Sequence, residues 1–558
     1  MKLKFIYNTL FVSAMALACV GCENYLDTSI DQYETDESTE TTRNTLWNFG
    51  NAFYTPITYG YSVLDSNLFA AASDEAQQTS AQSDANFFNQ GVINASLNPL
   101  SFLYSDCYEG IRAANWFLDY IADGKGEEMI AMNRDLVNDR PNYERDLANL
   151  RYYEAEAHIA RAYYYAELIK QYGGVPIVES QYERGKYIPR SSYEDVVEYI
   201  VDEIDNHKDA LAVDWSNYSE RSGRFTLGVA LAIKARVLLY AASPLHNPDG
   251  DVEKWKRAAA AAYELIDNEH LTYSLDSDYG AYFQGNRSLT SSETIYVVRR
   301  GTSNDLESRN YPIATQGGAS GVTPTHDLVE AYEHLGGYDP SNADPYADRD
   351  PRLAASIVTN GSTWNGRVID QSAGGSDDQS APNASRTGYY LKKFLTDNLN
   401  LTQGATAQHN WVAYRYGEVL LNYAEAMNEA YGADSYGENY NLSARDALQI
   451  VRDRASTLLP AVTASSKEAF RAEVKHERRI ELAFEDHRYW DLLRWKDALE
   501  VLNSPVHGVK VSGSEAAGWS YTTVKVADRR FLERNYYMPF TRSEVENSHG
   551  TLIQNTGY

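Results

Sequence analysis

The sequence is poor in cysteine and has no long apolar run beyond its N-terminal segment. It contains 3 cysteines in 558 residues, and two of them, Cys19 and Cys22, end the N-terminal apolar run. If Cys22 carries a lipid, Cys107 is the free thiol that remains, and no internal disulfide is expected. No later stretch approaches the roughly 20 apolar residues that a membrane-spanning helix needs. We therefore predict a water-soluble body outside the cytoplasm, tied to a membrane at one end.

The N-terminal segment has the residue order of a lipoprotein signal. Two lysines precede an apolar run, Leu10–Val20, that is too short to span a bilayer. The run leads through small residues to Cys22, and Cys19 is a second candidate for the same role. We predict a signal peptide over residues 1–21, lipidation of Cys22, and an acidic tether over residues 22–45.

Basic residues are scarce relative to acidic ones. The chain has 50 Lys and Arg against 78 Asp and Glu, a formal net charge of −28. Because phosphate binding depends on clustered Lys and Arg, nucleic acid is a poor partner, and docking on anionic lipid is disfavoured. Tyrosine is abundant, with 44 residues. Its apolar ring and polar tip suit both helix packing and the binding of polar, ring-shaped ligands.

Catalytic motifs are missing as well. The sequence has no G-x-S-x-G elbow, no phosphate-binding G-x-x-x-x-G-K-[ST] loop, no H-E-x-x-H, and no C-x-x-C outside the lipidation segment. Its 11 histidines show no metal-ligand spacing. A glycoside hydrolase needs only two carboxylates roughly 5–10 Å apart, so a surface glycosidase stays open as an alternative without positive support. We predict no enzymatic activity, no catalytic residue and no cofactor.

What the sequence does contain is a series of helical stretches rich in alanine and tyrosine. Alanine has the highest helix propensity and lets neighbouring helices approach closely. Such helices, paired by turns, are typical of tetratricopeptide-like hairpins that stack into a curved scaffold, although the exact repeat period is absent. The predicted helical stretches are Leu150–Val178, in which Gly173-Gly174 ends the helix, Thr226–Ser243, Trp255–Asp267, Tyr414–Gly432 and Ala444–Ala455.

Two irregular segments interrupt this helical pattern. Residues 73–102 and 270–408 are rich in Gly, Ser, Asn, Asp and Thr and have little helical period. Long irregular segments in compact proteins are usually functional, and loops on a rigid scaffold tend to carry binding residues. We therefore predict a mainly α fold with a single domain over residues 46–558. In it, a tetratricopeptide-like helical-hairpin scaffold, mainly 103–269 and 410–503, carries a large irregular ligand-binding insertion.

The stretch "ERRIELAFEDHRYWDLLRWKDALE", Glu477–Glu500, crowds carboxylates, arginines, a histidine and tryptophans together. His487 has no local nucleophile or metal partner, as a catalytic role would require. We interpret the stretch as a helix whose arginine–carboxylate bonds hold neighbouring helices together. The pairs expected on that helix, at three- and four-residue spacing, are Glu485–Arg488, Asp491–Arg494 and Lys496–Glu500.

Several stretches resemble the SusD/RagB family of outer-membrane lipoproteins, and they follow the family's order. The stretch from Glu477 to Ala498 closely resembles the family's C-terminal signature. Together the matches cover both ends and most of the middle of the chain. The other matching stretches are Cys22–Asp27, Arg161–Val178, Pro324–Tyr332 with Arg349–Leu353, Tyr414–Glu429 and the tail Tyr536–Tyr558.

The resemblance implies a non-catalytic, surface-exposed glycan-binding lipoprotein of the outer membrane. Members of the family sit as a lid on a SusC-like TonB-dependent transporter, and a polysaccharide-utilisation locus encodes both proteins for nutrient uptake. The implied fold is a scaffold of tetratricopeptide-like units with a more irregular ligand-binding half. The expected partners are therefore an oligo- or polysaccharide, the transporter, and the membrane through the lipid anchor. Within the family, the alternative is a RagB-like protein that captures peptides.

The family has no fixed ligand motif, so candidate ligand residues are chosen by physical criteria. A sugar ring needs exposed aromatic rings for stacking, beside carboxylate, amide or guanidinium groups. Aromatics in the irregular segments meet these criteria better than those on periodic helices, which are usually core. For each ring the alternative is that it anchors its own loop. The predicted ligand-binding residues are Asp74, Phe87, Phe88, Asn89, Tyr282, Tyr311, Trp364, Arg367 and Tyr390.

One acidic loop offers oxygens to a cation. The stretch "DPSNADPYADRD", Asp339–Asp350, carries several carboxylates but lacks the glycine and terminal glutamate of an EF-hand loop. Turn chemistry around its prolines explains the same residues. We predict no metal site, and a structural calcium in this loop is the alternative.

Overall fold

The computed structural model describes residues 43–132, 134–181, 185–215, 223–337, 344–437 and 439–558. These residues form two compact units, one of residues 43–51 with 120–150 and the other of residues 52–119 with 151–558. The predicted signal peptide, Cys22 and the predicted tether up to residue 42 lie outside the described residues, so the predicted domain boundaries stay predictions. Among the described residues, no helix is both long enough and apolar enough to cross a membrane.

Helices predominate in the described part of the chain, which confirms the mainly α prediction. Those of the first half are α1 (Arg43–Ala52), α2 (Ala85–Asn89), α3 (Ser101–Ile121), α4 (Lys125–Met132), α5 (Arg140–Tyr172), α6 (Tyr193–His207), α7 (Leu227–Ala242) and α8 (Val252–Ile266). Those of the second half are α9 (Tyr279–Tyr282), α10 (Arg287–Thr290), α11 (Asp305–Asn310), α12 (His326–Val329), α13 (Pro351–Ser356), α14 (Tyr416–Tyr431), α15 (Ala444–Arg452), α16 (Lys467–Glu481), α17 (Arg488–Arg494), α18 (Ala498–Val501) and α19 (Arg542–Asn547).

The longer helices form the predicted hairpin scaffold. Helix α6 packs against α7, α7 against α8, α8 against α14, and α14 against both α15 and α16. Buried alanines such as Ala232 and Ala235 of α7 and Ala259 of α8 line these contacts, so the backbones approach closely. The side chain of Thr226 caps the start of α7 by accepting a hydrogen bond from the Val229 amide.

A pair of glycines ends α5 at the predicted place. Helix α5 runs to Tyr172, and Gly173 has a left-handed φ of +71°, which other residues adopt only with strain. A Cβ atom on Gly174 would lie 2.1 Å from the carbonyl oxygen of Ser191. Glycine is therefore required where the chain leaves α5 and passes against the segment that precedes α6.

The stretch Glu477–Glu500 is not one helix, which corrects the expectation from sequence. It contains the end of α16, then α17, then the start of α18. The turns between them hold Phe484, Asp486 and Lys496, with positive φ values of 66°, 65° and 65°. These left-handed residues break the helical register. Of the three expected pairs, this fully described stretch therefore forms only Asp491–Arg494, at 2.8 Å.

The charged side chains of this stretch bind distant parts of the chain, as the structural interpretation requires. Glu481 accepts hydrogen bonds from Arg352, Arg415 and Arg454 at 2.9, 2.8 and 2.7 Å. Burial acts to raise the pKa of Glu481, but the three guanidinium charges hold it well below its usual range. Such pairing is what makes buried charge tolerable. The two other expected pairs are replaced by Arg488–Asp74, Glu485–Arg415 and Lys496–Glu533.

Strands in the described part of the chain form five two-stranded antiparallel sheets, which the sequence analysis did not predict. Strand β1 pairs with β3, β2 with β8, β4 with β7, β5 with β6, and β9 with β10. The strands are β1 (Ala76–Gln78), β2 (Thr294–Arg299), β3 (Val322–Pro324), β4 (Ile357–Val358), β5 (Thr363–Trp364), β6 (Arg367–Val368), β7 (Tyr390–Leu391), β8 (Asn410–Arg415), β9 (Val506–Ser514) and β10 (Gly518–Ala527).

The irregular insertion shares an aromatic core with neighbouring segments of the chain. Tyrosine suits such a core because its ring packs while its hydroxyl finds a partner. The hydroxyl of Tyr279 donates to the Glu481 carbonyl at 2.9 Å, for example. This packing buries rings that lie far from any periodic helix. The buried aromatics of this cluster include Tyr61, Tyr282, Tyr311, Tyr332, Trp364, Tyr389, Tyr390, Phe394 and Trp411.

Candidate functional site

The two irregular segments singled out from sequence meet in the structure. Strand β1 of the first segment pairs with β3 of the second. Close to these strands, the side-chain amides of Asn67 and Asn310 exchange hydrogen bonds of 3.0 Å in both directions. Arg309 donates to the carbonyl oxygen of Asp65 at 3.3 Å. Since Asp65 has a positive φ of 54° and is exposed, a polar loop tip is held beside the insertion.

The short hairpin β5–β6 carries a polar tip that is held from three sides. At the tip, Asn365 and Gly366 have φ values of +51° and +71°, as a tight two-residue hairpin turn requires. The Asn365 amide donates to Asp397 at 2.9 Å, and its side-chain oxygen accepts from Thr315 at 2.9 Å. Directly across from Trp364, Arg367 binds both carboxylate oxygens of the buried Asp377.

Four of the nine predicted ligand residues come together at this hairpin. Trp364 and Arg367 are paired across it, and the ring of Tyr311 meets that of Trp364 edge-on, with centroids 6.3 Å apart. Tyr390 lies near the charges of Asp377 and Arg367. Its pKa is raised by burial and by Asp377, and Arg367 opposes that shift.

The three aromatic rings among these four residues are all buried, which corrects the expectation that they are exposed. Tyr311 and Tyr390 have no exposed surface, and Trp364 is 4% exposed. Tyr311 donates its hydroxyl to the Thr396 carbonyl and accepts from the Leu399 amide at 3.1 Å, and burial raises its pKa to about 12. Tyr311 therefore anchors its own loop. Arg367, by contrast, is partly exposed.

The other five predicted residues lie elsewhere. Tyr282 is buried and shares a 2.8 Å hydrogen bond with Thr294. Phe88 is buried against Phe69 and Tyr489, and the buried Asn89 donates to the Ala71 carbonyl at 3.0 Å. The expected exposure is thus wrong for Tyr282 and Phe88. Among the predicted aromatic residues, Phe87 alone keeps a partly exposed side chain. Ligand contact by any of the nine stays a prediction.

Asp74 is held by two arginines of the opposite end of the chain. It accepts hydrogen bonds from Arg488 at 2.8 and 3.0 Å and from Arg479 at 2.9 Å. Burial would raise the pKa of Asp74, but these two charges hold it well below its usual range. The neighbouring Glu75 is fully buried without such a partner. Burial, reinforced by the charge of Asp74, raises its pKa to about 8.

Two aromatic residues that the sequence analysis missed lie at the base of the same hairpin. Trp519 and Tyr521 project from β10 and are partly exposed. A Cβ atom on Gly361 would come within 2.8 Å of the Trp519 ring, so the glycine lets the indole approach the backbone. The Tyr521 hydroxyl accepts a 3.3 Å hydrogen bond from the Asn360 amide. The alternation of β10, G-W-S-Y-T-T-V-K-V, is the sequence signal for this strand.

We define the hairpin surface as the polar and aromatic side chains that belong to or contact residues 359–369. It offers a guanidinium, amides and a carboxylate for hydrogen bonding, beside two partly exposed rings. This is the combination that a polar, ring-shaped ligand needs. Its members are Asn360, Asn365, Arg367, Asp397, Trp519 and Tyr521.

No metal centre is found in the described residues. They contain no group of three His, Cys, Asp or Glu side chains arranged to hold a metal ion. Residues 338–343, which include the start of the candidate calcium loop, lie outside the described residues. His487 is buried, and burial lowers the pKa of its imidazole well below the usual value.

Fold and site together define a class of protein: a helical-hairpin scaffold whose irregular half carries a loop-borne binding surface. Family models give this class its name. The model described as "SusD family" matches residues 282–558, and that described as "Starch-binding associating with outer membrane" matches residues 24–239. The chain belongs to the SusD/RagB family, as its sequence signatures predicted.

Known relatives agree with this assignment. A "SusD-like protein P2" of Formosa agariphila is 24% identical over 462 residues, which are 80% of this chain and 81% of the relative. A crystal structure of a SusD-like protein from Bacteroides fragilis has a TM-score of 0.76 and 25% identity, over 94% of this chain and 99% of that chain. A SusD-like carbohydrate-binding protein from the same species has a TM-score of 0.74 and 22% identity, over 92% and 99%.

Proposed function

We propose that this protein captures an oligo- or polysaccharide at the cell surface and delivers it to a SusC-like TonB-dependent transporter. The body is held to the outer membrane by lipid on Cys22. Membership of the SusD/RagB family supports the class of function, as does the likeness to a protein described as carbohydrate-binding. In this proposal the protein binds glycan without cleaving it.

The observation that carries the proposal is the pair of partly exposed rings, Trp519 and Tyr521, on the same hairpin surface as the partly exposed Asn365 and Arg367. Aromatic rings provide the apolar face on which a sugar ring stacks, and amide and guanidinium groups bind its hydroxyls. Trp519 also has an indole N–H that is buried and makes no hydrogen bond within the described residues.

The glycan-binding site is tested with Trp519→Ala in the mature protein. We expect the variant to lose at least about tenfold in affinity for the polysaccharide that the unmodified protein binds best, because truncating a central aromatic residue removes most of its contact energy. Affinity electrophoresis against starch, laminarin, xylan and mannan identifies that polysaccharide, and calorimetry measures the affinity. The matched control is Tyr436→Ala, since Tyr436 is 52% exposed on a scaffold loop.

Three outcomes contradict the proposal. Unchanged affinity of Trp519→Ala removes the hairpin surface as the site. Release of reducing ends from any of the polysaccharides rejects a purely binding role in favour of a glycosidase. Retention of a peptide pool, with no retention of polysaccharide, favours the peptide-capturing alternative.

Transporter delivery needs a separate measurement. We expect the lipidated protein, extracted from outer membranes in mild detergent, to co-purify with a TonB-dependent transporter of its own locus. If the protein elutes alone under conditions that keep other outer-membrane complexes intact, delivery to such a transporter is rejected.

A further inference from the structure

A second groove lies outside the hairpin surface, where three segments of the larger compact unit meet. It is bounded by the first half of α3, by Pro176, Val178 and residues 186–188, and by the C-terminal residues 544–552. We define this as the tail groove. Its volume is about 480 Å³, within the range of roughly 300–1,000 Å³ that ligand-binding clefts usually have.

The segments that bound the tail groove are held together by direct bonds of neighbouring residues. Arg190 donates to the carbonyls of Gly174 and Tyr172 at 2.6 and 2.8 Å, and to the carbonyl of Ile553 at 2.9 Å. These bonds fix the C-terminal segment against the exit of α5. On the opposite wall, the hydroxyl of Tyr108 donates to the Pro176 carbonyl at 2.7 Å. The groove is therefore formed before any ligand arrives.

Aromatic rings line this groove on two sides. Tyr104 and Tyr108 of α3 contact each other through their rings, with centroids 4.8 Å apart. Both residues line the groove. Tyr187 is 42% exposed, and its ring contacts that of His549 at a centroid distance of 4.4 Å. Tyr187 also lines the groove, so its exposed ring can stack on a ligand that enters the groove.

The rim carries polar groups that face solvent and have no protein partner in the described part of the chain. Glu109, Arg112, Glu544 and Asn547 line the groove, and none of their side chains makes a hydrogen bond or ion pair within the described residues. Glu544 is only partly exposed, and together with burial its charge raises the pKa of Tyr104. Among the residues that the structure describes, the Glu544 carboxylate is thus free of protein donors and open to a ligand that enters the groove.

We propose that the tail groove is a second saccharide-binding site, which holds a short stretch of a neutral glycan. This inference rests on the proposed glycan binding at the hairpin surface. The rings offer stacking faces, and the carboxylates, amide and guanidinium match the donors and acceptors of sugar hydroxyls. Because the rim mixes both signs of charge, it selects neither an anionic nor a cationic ligand. Two sites on one chain grip a long polysaccharide more tightly than either alone.

The test counts saccharides per chain. The mature protein and its Tyr187→Ala, Trp519→Ala and double variants are titrated with hexasaccharides of malto-, laminari-, xylo- and manno-type, followed by native mass spectrometry and calorimetry. We expect two molecules of the cognate hexasaccharide per unmodified chain at saturation, one for each single variant, and none for the double variant. For the whole polysaccharide, Tyr187→Ala lowers the apparent affinity by about tenfold or more.

A conservative change supports the same assignment without removing a ring. Glu544→Gln keeps the shape of the side chain while replacing its carboxylate, and we expect it to weaken the groove site but not the hairpin site. The matched control is Tyr436→Ala, which leaves both stoichiometry and affinity unchanged. Equal thermal unfolding temperatures of all variants show that the fold is kept.

The results distinguish a failure of the tail groove from a failure of the proposed function. One hexasaccharide per chain, lost in Trp519→Ala and unaffected by Tyr187→Ala, overturns the tail groove while the proposed function stands. Retention of a peptide pool that depends on Tyr187, with no change for saccharides, overturns the saccharide assignment. If no saccharide binds the unmodified chain, both the proposed function and this inference fail.

Discussion

Arg488 Nε lies 2.8 Å from Asp74 Oδ1, across 414 positions of sequence. The pair ties the first irregular segment to the end of the scaffold, and Arg479 reinforces it from α16 at 2.9 Å. Asp74 was predicted as a ligand contact, but its carboxylate is engaged by these two guanidinium groups. Because Asp74 lies next to β1, its bonds to Arg479 and Arg488 hold the irregular half against the helices. We call these three residues the clamp.

Replacing this clamp should destabilise the protein strongly. Asp74→Asn leaves two mostly buried guanidinium groups without their counter-charge, which costs about 3–5 kcal/mol in the free energy of unfolding. Urea denaturation followed by fluorescence measures the change. As a control, Asp434→Asn removes the 69% exposed partner of Arg445 and should cost no more than about 1 kcal/mol. Equal effects of the two substitutions would contradict the clamp.

The neighbouring Glu75 should make stability depend on pH. Its pKa is raised to about 8 by burial and by the charge of Asp74, although the Phe484 amide, Arg488 and Lys393 act in the opposite direction. Between its unfolded pKa of about 4.5 and 8, the folded chain binds a proton that the unfolded chain has lost, so this residue's contribution to stability falls as pH rises.

Glu75→Gln removes that pH dependence. Relative to the unmodified protein, the variant should gain stability from pH 5 to pH 8 at roughly 1 kcal/mol per pH unit. The measurement is the free energy of unfolding in urea at each pH, and the difference between the two proteins cancels other titrating groups. Parallel stability curves would show that Glu75 is ionised in the folded state.

The exit of α5 should tolerate no side chain at Gly174. An added Cβ atom would lie 2.1 Å from the Ser191 carbonyl oxygen, and backbone must shift to relieve the clash. We expect Gly174→Ala to cost about 1–3 kcal/mol of stability. Gly301→Ala is the matched control, because a Cβ atom there meets nothing within 4 Å. That change should stay within about 0.5 kcal/mol, and a similar cost at both positions would rule out the steric explanation.

The proposed lipid anchor is tested by cell fractionation. Cys22→Ala should move the protein from the outer-membrane fraction to the soluble fraction, because the acyl chains are attached through that thiol. Cys19→Ala is the control and should leave the protein in the membrane fraction. If instead Cys19→Ala is soluble and Cys22→Ala stays in the membrane fraction, Cys19 is the lipidated residue.

The scaffold was predictable from sequence because its signals are local. Alanine-rich helical stretches and the Gly173-Gly174 stop depend on residues within a turn or two of each other. The sequence predicted that arginines and carboxylates of α16 and α17 bind each other or neighbouring helices. It did not show which residues would pair. Positive φ at Phe484 and Asp486 ends the helix in the middle of the stretch, and no local pattern shows it.

The candidate site was predictable only in its location. The insertion and the first irregular segment do meet, and Arg367 is partly exposed while its guanidinium binds Asp377. The burial of Tyr311 could not be predicted, because its hydroxyl binds Thr396, 85 positions further along the chain. Trp519 and Tyr521 could have been found, since period-two alternation marks β10 as a strand with one face of large rings.

The three guanidinium groups around Glu481 also set the order in which the chain can fold. Arg352, Arg415 and Arg454 all precede Glu481, so their buried cluster lacks this shared carboxylate until the last part of the chain has been made, although Asp350 and Glu293 pair with the same arginines. Contacts between residues this far apart form slowly. A product that ends before Glu481 cannot complete this buried cluster, and we expect it to be cleaved by proteases faster than the whole chain.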